Sequence, residues 1–411
     1  MTLKTQLLRG AIGLPVVTIA TLALIQPQPV PDESPFVKGL KAGERETLLY
    51  VWTRDADGAE NDFISVVDVD PESEMYGTII ATASNGAHAT EAHHFGYTAN
   101  ADRIFAAGMF TNQMFIYDLS EDPRQPKLIR TVDLDPSGYS GPHTMYAVPG
   151  GVMIAMLGSV DHMPPGGLVM LNDDGDIVTS YPEERTEDMP PTFMYDVGVK
   201  PAMNRMITSS WAPPAHIMGE VEDTGLVGDE MVVWDWETKT PLQVEHIDLA
   251  PLEVRWLHGE AARGGFVNAA FGNSVWYWED DDEDGTIDFH RVIDLGEGAV
   301  PADMRISYDN TLLYVSLWGG GKVQQFDVSD PLNPVFADEV EIAQPNMMKL
   351  SPDSRRLYVT NSILSSMDGD VEFGAWLLDV GPDGIEIDPD FRPDFAGFES
   401  GPGGPHDMLL K

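Results

Sequence analysis

The stretch Phe115-Ile116-Tyr117-Asp118-Leu119-Ser120-Glu121-Asp122, an apolar strand that ends in an acidic turn, carries the clearest signal for the fold. Its end together with the next residue, Tyr117-Asp118-Leu119-Ser120-Glu121-Asp122-Pro123, resembles Phe326-Asp327-Val328-Ser329-Asp330-Pro331 further along the chain. Similar strands recur along the chain roughly every 50 residues, which is the signature of a repeat architecture. The seven copies begin at Val66, Phe115, Leu168, Met231, Val275, Val323 and Ala375.

Each copy after the first follows another apolar strand, and short polar turns rich in Gly, Pro, Asn and Asp separate the strands, as hairpin connections require. A unit of this length holds three or four antiparallel strands. Four-stranded sheets repeated around an axis form a propeller, and seven units lie within the usual range. The sequence therefore predicts an all-β fold, a seven-bladed β-propeller. A β-sandwich, the structural rival, does not explain the repeat.

The amino-acid composition excludes several classes of partner and of binding site. The 411 residues carry 67 acidic and 24 basic side chains, a formal net charge of −43. Because the acids are spread over the chain, we interpret them as a halophilic-type acidic surface rather than one acidic docking site. Phosphates would be repelled, so nucleic acid is not an expected partner. Since the chain has no cysteine, disulfides and thiolate metal ligands are excluded.

The N-terminus resembles an export signal. Residues 1–26 combine Lys4 and Arg9 with an apolar run of signal-peptide length, which is read as a signal peptide or an uncleaved N-terminal anchor. Residues 27–43 are rich in Pro and acids and are interpreted as a linker, and residues 44–411 as the propeller domain. Both alternatives predict a periplasmic or extracellular location, with membrane contact only through an uncleaved anchor.

Histidines recur at one position of the repeat, shortly before the second strand of a unit. That position is occupied by His94, His143, His258 and His406, and in the other units by Asp196, Asp303 and Met347. The first strand of each propeller blade lines the central channel, so these side chains are predicted to form a ring near one mouth. Converging imidazoles suit Cu, Zn, Fe or Ni.

Two questions stay open at the level of sequence. Side chains alternate along a strand, so only one of His93 and His94 is expected to face the axis unless the pair lies on a bulge or loop. Nearby carboxylates are candidates to orient the imidazoles from behind. These candidates are Glu91, Glu253, Asp303 and Asp407. The alternative to a metal site is a set of channel histidines held by ordinary hydrogen bonds.

The segment Trp211–Glu230 makes one repeat longer than the others. It is either a lid over a channel mouth or a solvated loop insertion.

Several runs resemble the selenium-binding protein family, whose bacterial members include methanethiol oxidases. The resemblance covers residues 46–411 in collinear order. It is carried by runs that include FISVVDVDPES (63–73), EAHHFGY (91–97), QMFIYDLSEDPRQPKLIRTVDL (113–134), PLEVRWLHGEAARGGFVNAAF (251–271) and VQQFDVSDPLNPV (323–335).

The resemblance implies a seven-bladed propeller with a copper centre held by His93, His94, His143, His258 and His406. The implied reaction converts methanethiol, O2 and water to formaldehyde, hydrogen sulfide and hydrogen peroxide. The cysteine that carries selenium in animal members has no counterpart in Tyr50–Arg54, so selenium binding is not expected.

Three hypotheses follow. The first is an exported copper-dependent oxidase whose partners are a small thiol, which the resemblance implies to be methanethiol, and O2. The second is a non-haem iron oxygenase with four histidine ligands in a propeller. The third is a propeller that binds a metal or a partner without turnover.

Overall fold

A computed structural model of the chain describes residues 34–40, 44–183, 192–219, 226–280 and 285–411. The helices and strands of the described residues are almost all β-strands, with one short helix, α1 (Pro214–Ile217), and two 3-10 turns. The strands are β1 Leu48–Asp55, β2 Asn61–Asp68, β3 Ile79–His88, β4 Ala92–Tyr97, β5 Arg103–Gly108, β6 Gln113–Asp118, β7 Lys127–Asp133, β8 Tyr139–Val148, β9 Gly151–Ser159, β10 Gly167–Leu171, β11 Ile177–Tyr181, β12 Met194–Lys200, β13 Arg205–Ser210, β14 Glu230–Asp235, β15 Thr240–His246, β16 Pro251–Trp256, β17 Gly264–Ala269, β18 Ser274–Glu279, β19 Asp288–Asp294, β20 Pro301–Ile306, β21 Leu312–Leu317, β22 Lys322–Asp327, β23 Val335–Glu341, β24 Met348–Leu350, β25 Arg356–Thr360, β26 Ala375–Gly381, β27 Gly384–Ile387 and β28 Gly403–Leu410.

The strands form seven antiparallel four-stranded sheets, so the predicted seven-bladed propeller is confirmed. Six sheets consist of four consecutive strands, from β4–β7 to β24–β27. The seventh has the order β28-β1-β2-β3 and joins the C-terminal strand to the N-terminal hairpin. The first strands β4, β8, β12, β16, β20, β24 and β28 contact one another in a closed cycle. They line the central channel.

Burial along each blade explains the sequence pattern. Inner strands are covered on both faces and are largely apolar, as in β1 (LLYVWTRD), whose eight residues are all buried. Outer strands such as β7 (KLIRTVD) are mostly exposed and carry charge, which protects a sheet edge from pairing with another chain.

Six of the seven innermost strands have a β-bulge at an equivalent position. In β4, Ala92 pairs with Gly108 and Phe95 pairs with Ala106, so His93 and His94 lie together opposite a single residue. Such a bulge lets two consecutive side chains leave the strand on the same side. Equivalent irregularities fall at His143-Thr144, Tyr195-Asp196, Leu252-Glu253, Ala302-Asp303 and His406-Asp407.

An aspartate at the second bulge position fastens neighbouring blades. The Oδ1 atom of Asp303 accepts from the amide of Met304 at 2.7 Å, and its Oδ2 atom accepts from the amide of Met348 in the next blade at 2.8 Å. Asp196 makes the same pair of bonds, and so does Asp407, whose bond to the next blade is longer at 3.4 Å. A charged acceptor makes these bonds stronger than neutral ones.

A side-chain hydroxyl or amide on the second strand of a blade makes a second type of hydrogen-bonded link to the next blade. Ser316 accepts from the amide of Asp303 at 2.9 Å, and its hydroxyl donates to the carbonyl oxygen of Asn346 in the next blade at 2.6 Å. Asn268 repeats this arrangement one blade earlier. The blades are therefore joined by hydrogen bonds as well as by apolar packing.

Residues 34–40 lie against the channel end remote from the bulges. The Ser34 hydroxyl donates to the carbonyl oxygen of Ala147 at 2.6 Å, and Val37 is 5% exposed. Both residues line a small cavity with parts of β4 and β8 that follow their bulges. The predicted export segment 1–26 and the linker residues 27–33 and 41–43 lie outside the described residues. Within the described part, no helix is long and apolar enough to cross a membrane.

Replacing Ser316 with Ala should lower the free energy of unfolding by about 1–3 kcal/mol, because buried hydrogen-bonding groups of two blades lose their shared partner. Ser329→Ala, the same change at an exposed turn, should stay within about 0.5 kcal/mol of the parent. Chemical denaturation followed by circular dichroism measures both. Equal stability of the two variants would contradict the blade-linking role.

Candidate metal centre

Four imidazoles meet at the bulged end of the channel. His93, His94, His143 and His406 are each at most 4% exposed. The Nε2 atoms of His93 and His143 lie 3.0 Å apart, and the ring centroids of His93 and His406 are separated by 3.8 Å. Nitrogen atoms of His93, His94 and His406 all lie within 4.8 Å of one another. Because the pair lies on a bulge, both His93 and His94 reach this cluster.

The Nδ1 atoms of three rings are held from behind. Asp407 Oδ2 lies 3.1 Å from Nδ1 of His94, and the carbonyl oxygen of Ser362 lies 2.8 Å from Nδ1 of His406. The Thr144 hydroxyl lies 3.3 Å from Nδ1 of His143. Such contacts fix the orientation of a ring and leave Nε2 to the interior. The Nε2 atoms of His94 and His406 are buried and have no hydrogen-bond partner.

Burial keeps most of the cluster neutral. Loss of solvation lowers the pKa of His93 and of His143 well below the usual range, and lowers the pKa of His406 to about 3. For His94, burial alone would lower the pKa, but the hydrogen bond and charge of Asp407 outweigh it and raise the pKa overall. Neutral imidazoles present lone pairs, which is the form that binds metal.

A carboxylate stands beside the cluster. Glu253 Oε1 lies 3.9 Å from Nε2 of His94 and makes no hydrogen bond, whereas Oε2 accepts from Arg255 at 2.6 Å. Burial raises the pKa of Glu253 to about 8, although Arg255 opposes the shift. Arg255 also pairs with Asp196 and Asp303, both at 2.9 Å. One guanidinium therefore holds three buried carboxylates next to the imidazoles.

His258 was expected in the ring, and the structure places it elsewhere. It follows the end of β16, where its Nε2 lies 3.1 Å from the carbonyl oxygen of Ile306 and its ring packs on Tyr308 at 4.6 Å. The bulge of this blade holds Leu252 and Glu253 instead. The expectation was wrong because it counted backwards from β17 across a hairpin that is longer in this blade than in the others.

The four candidate carboxylates have different surroundings. Only Asp407, of the four, lies within hydrogen-bond distance of an imidazole. Glu91 accepts from the amide of Ser365 at 3.0 Å, and Asp303 binds backbone amides together with Arg255 and Arg305. Glu91 and Asp303 therefore act in the scaffold around the site rather than on the rings.

Tyr195 was missed by the sequence reasoning. Its ring lies on His143 at a centroid distance of 3.7 Å and meets Trp211 edge-on at 5.6 Å. Tyr195 occupies the first bulge position of its blade, the position of His93. Reading two residues per blade instead of one would have found it.

The segment that begins at Trp211 packs over this end of the channel. Trp211, Ala212, Ala215 and Ile217 are at most 8% exposed, and an apolar cluster joins most of them to Tyr195, Leu252 and Leu364. Up to α1 the insertion is therefore a cover over the site and not a solvated loop. Residues 220–225 lie outside the described part of the chain.

Comparison with known proteins assigns the family. The model of the family described as 56kDa selenium binding protein (SBP56) matches residues 28–411. The chain belongs to the selenium-binding protein family.

Relatives within this family include named enzymes. The chain is 33% identical to a methanethiol oxidase of Ruegeria pomeroyi, with 92% of this chain and 91% of the relative covered. It is 32% identical to a methanethiol oxidase of Hyphomicrobium sp, with 96% and 93% covered. This kinship supports an oxidoreductase enzyme rather than a propeller without turnover.

A solved member of the family has the same fold. The hypothetical selenium-binding protein of Sulfolobus tokodaii superposes with a TM-score of 0.81 at 27% identity, covering 90% of this chain and 94% of that protein. A putative 6-phosphogluconolactonase of Bacteroides fragilis, at 10% identity and a TM-score of 0.63, shares the fold alone.

Proposed function

We propose that this member of the selenium-binding protein family is a copper-dependent methanethiol oxidase, which converts methanethiol, O2 and water to formaldehyde, hydrogen sulfide and hydrogen peroxide. The observation that carries the proposal is the cluster of four buried imidazoles, of which His94 and His406 present unpartnered Nε2 atoms. The kinship to methanethiol oxidases supports the substrate.

The donor set fits copper. His93, His94, His143 and His406 offer nitrogen ligands, and the absence of cysteine excludes thiolates. Imidazole sites suit copper, which also binds most tightly among the divalent first-row metals. Buried polar atoms without partners are costly, and an ion held by these atoms would satisfy them. Iron also accepts imidazole, so metal identity is part of the test.

A bound copper ion would supply Lewis acidity toward the thiol sulfur and one-electron redox chemistry toward O2. The protein supplies the surroundings. Asp407 holds His94 at Nδ1, so that its Nε2 faces the site. Oε1 of Glu253 is unpartnered beside His94 and can hold the proton that leaves the thiol. Tyr195 and Trp211 exclude water from this face of the imidazoles.

We propose export as well, on the sequence of residues 1–26. A basic start followed by an apolar run of signal-peptide length supports a periplasmic or extracellular enzyme. Mass spectrometry of the N-terminus of the protein recovered from its native host distinguishes a cleaved signal peptide from a retained anchor.

Purified protein loaded with Cu²⁺ and dialysed should retain copper and should produce hydrogen sulfide and hydrogen peroxide in equal amounts from methanethiol. Elemental analysis and the two product assays measure this outcome. Protein loaded with Fe²⁺ serves as the comparison. Activity only with iron would overturn the copper assignment, and retained copper without either product would overturn the oxidase.

His143→Ala should lose most of the bound copper while its circular dichroism stays that of the parent, because one of four converging ligands is removed. His258→Ala is the matched control and should keep its copper, since His258 contacts Ile306 and Tyr308 instead. Elemental analysis after dialysis against a weak chelator measures both. Full retention of copper in His143→Ala, or loss of copper in His258→Ala, would contradict the ligand assignment.

A further inference from the structure

An apolar roof, defined as Tyr195, Trp211, Leu252 and Leu364, covers the imidazoles on the outer side of the channel. All four residues belong to one buried cluster and are at most 8% exposed. Tyr195 lies directly on His143, and Trp211 stands behind Tyr195. This side of the site is therefore formed by an aromatic ring on His143 that apolar side chains back.

Away from the roof, the imidazoles are bordered by charged side chains, and the remote end of the channel is covered. Glu253 and Arg255 border the cluster with a network of ion pairs, which would bury an alkyl group among charges. The remote end of the channel is covered by Ser34 and Val37. An apolar substituent on a ligand of the imidazoles therefore has its favourable surroundings only at the roof.

The Trp211 segment is held in place. The amide of Trp211 donates to the carbonyl oxygen of Phe193 at 3.0 Å, and the carbonyl oxygen of Trp211 accepts from Gly228 at 2.6 Å. Three residues later, Pro214 packs so closely on Gly158 that a Cβ atom there would lie 2.8 Å from its Cδ atom. Because this glycine admits the proline ring, the segment is seated against the blade.

We propose that the apolar roof binds the alkyl group of the thiol and that Trp211 limits its length to one or two carbons. The inference rests on the proposed oxidase and names the residue that sets its substrate range. Because Tyr195 lies on the ring of His143 at a centroid distance of 3.7 Å and Trp211 stands behind it, a longer alkyl chain at this face would have to displace these two rings. A pocket of this kind separates substrates that differ by one methylene about 10–200-fold.

The test compares methanethiol with 1-propanethiol on the copper-loaded protein. Binding is measured by calorimetry without O2, and kcat/KM is measured with O2. The parent should bind and oxidise methanethiol in preference to 1-propanethiol. In Trp211→Ala the binding preference for methanethiol over 1-propanethiol, measured as the ratio of the two dissociation constants, should fall at least ~10-fold. Trp211→Phe, which keeps a smaller ring, should fall between the two.

Trp276→Ala is the control. Trp276 lies on β18, the third strand of its blade, and bonds Asp248, so its removal should leave the ratio unchanged. An unchanged ratio in folded Trp211→Ala would overturn the proposal. If that variant does not fold, an unchanged ratio in Trp211→Phe overturns it equally.

The two proposals fail differently. A copper-loaded parent that does not oxidise methanethiol would refute the oxidase. The anaerobic binding ratio would still decide the role of the roof, because binding without O2 requires no turnover.

Discussion

The structure depends on the bulge that interrupts six of the seven innermost strands at an equivalent position. A regular strand would send consecutive side chains to opposite faces. The bulge instead gives each of these six blades two consecutive positions that project together at the mouth of the channel. Polar groups at these positions meet groups of the next blade, so the element that positions the imidazoles also ties the ring together.

The carboxylate of Asp407 is shared between the imidazole of His94 and the hydrogen bond that links its blade to the next one. Asp196 and Asp303 bind the amide of the next blade at 2.7 and 2.8 Å, whereas Asp407 makes this bond at 3.4 Å. Asp407 differs because its Oδ2 atom also lies 3.1 Å from His94. The last blade thus gives up part of a structural hydrogen bond to orient an imidazole. Asp196 and Asp303, at the same position in their blades, bind the scaffold and make no hydrogen bond to an imidazole.

The repeat made the fold predictable, and it also brought out three of the four clustered histidines by position, His94, His143 and His406. What the sequence hid was the bulge, because two residues opposing one leave the apolar pattern of the flanking strand unchanged. The same omission misplaced His258, since hairpin length varies between blades while bulge position does not. Contacts such as Asp407 with His94 join residues 313 apart in the chain, and only ring closure brings them together.

Charge is distributed so that most of the clustered imidazoles stay neutral within a strongly acidic protein. The chain carries a net charge of −43, yet three of its four clustered imidazoles are kept neutral by burial. Carboxylates near the cluster would favour protonated rings if they were unpaired. Arg255 binds Asp196, Glu253 and Asp303 together, and its positive charge partly offsets these carboxylates beside the rings. Asp407 hydrogen-bonds His94, the ring whose pKa rises, and Glu253 and Asp196 add to that rise through their charge. The arginine network therefore preserves the lone pairs that a metal needs, in a protein whose overall charge opposes that state.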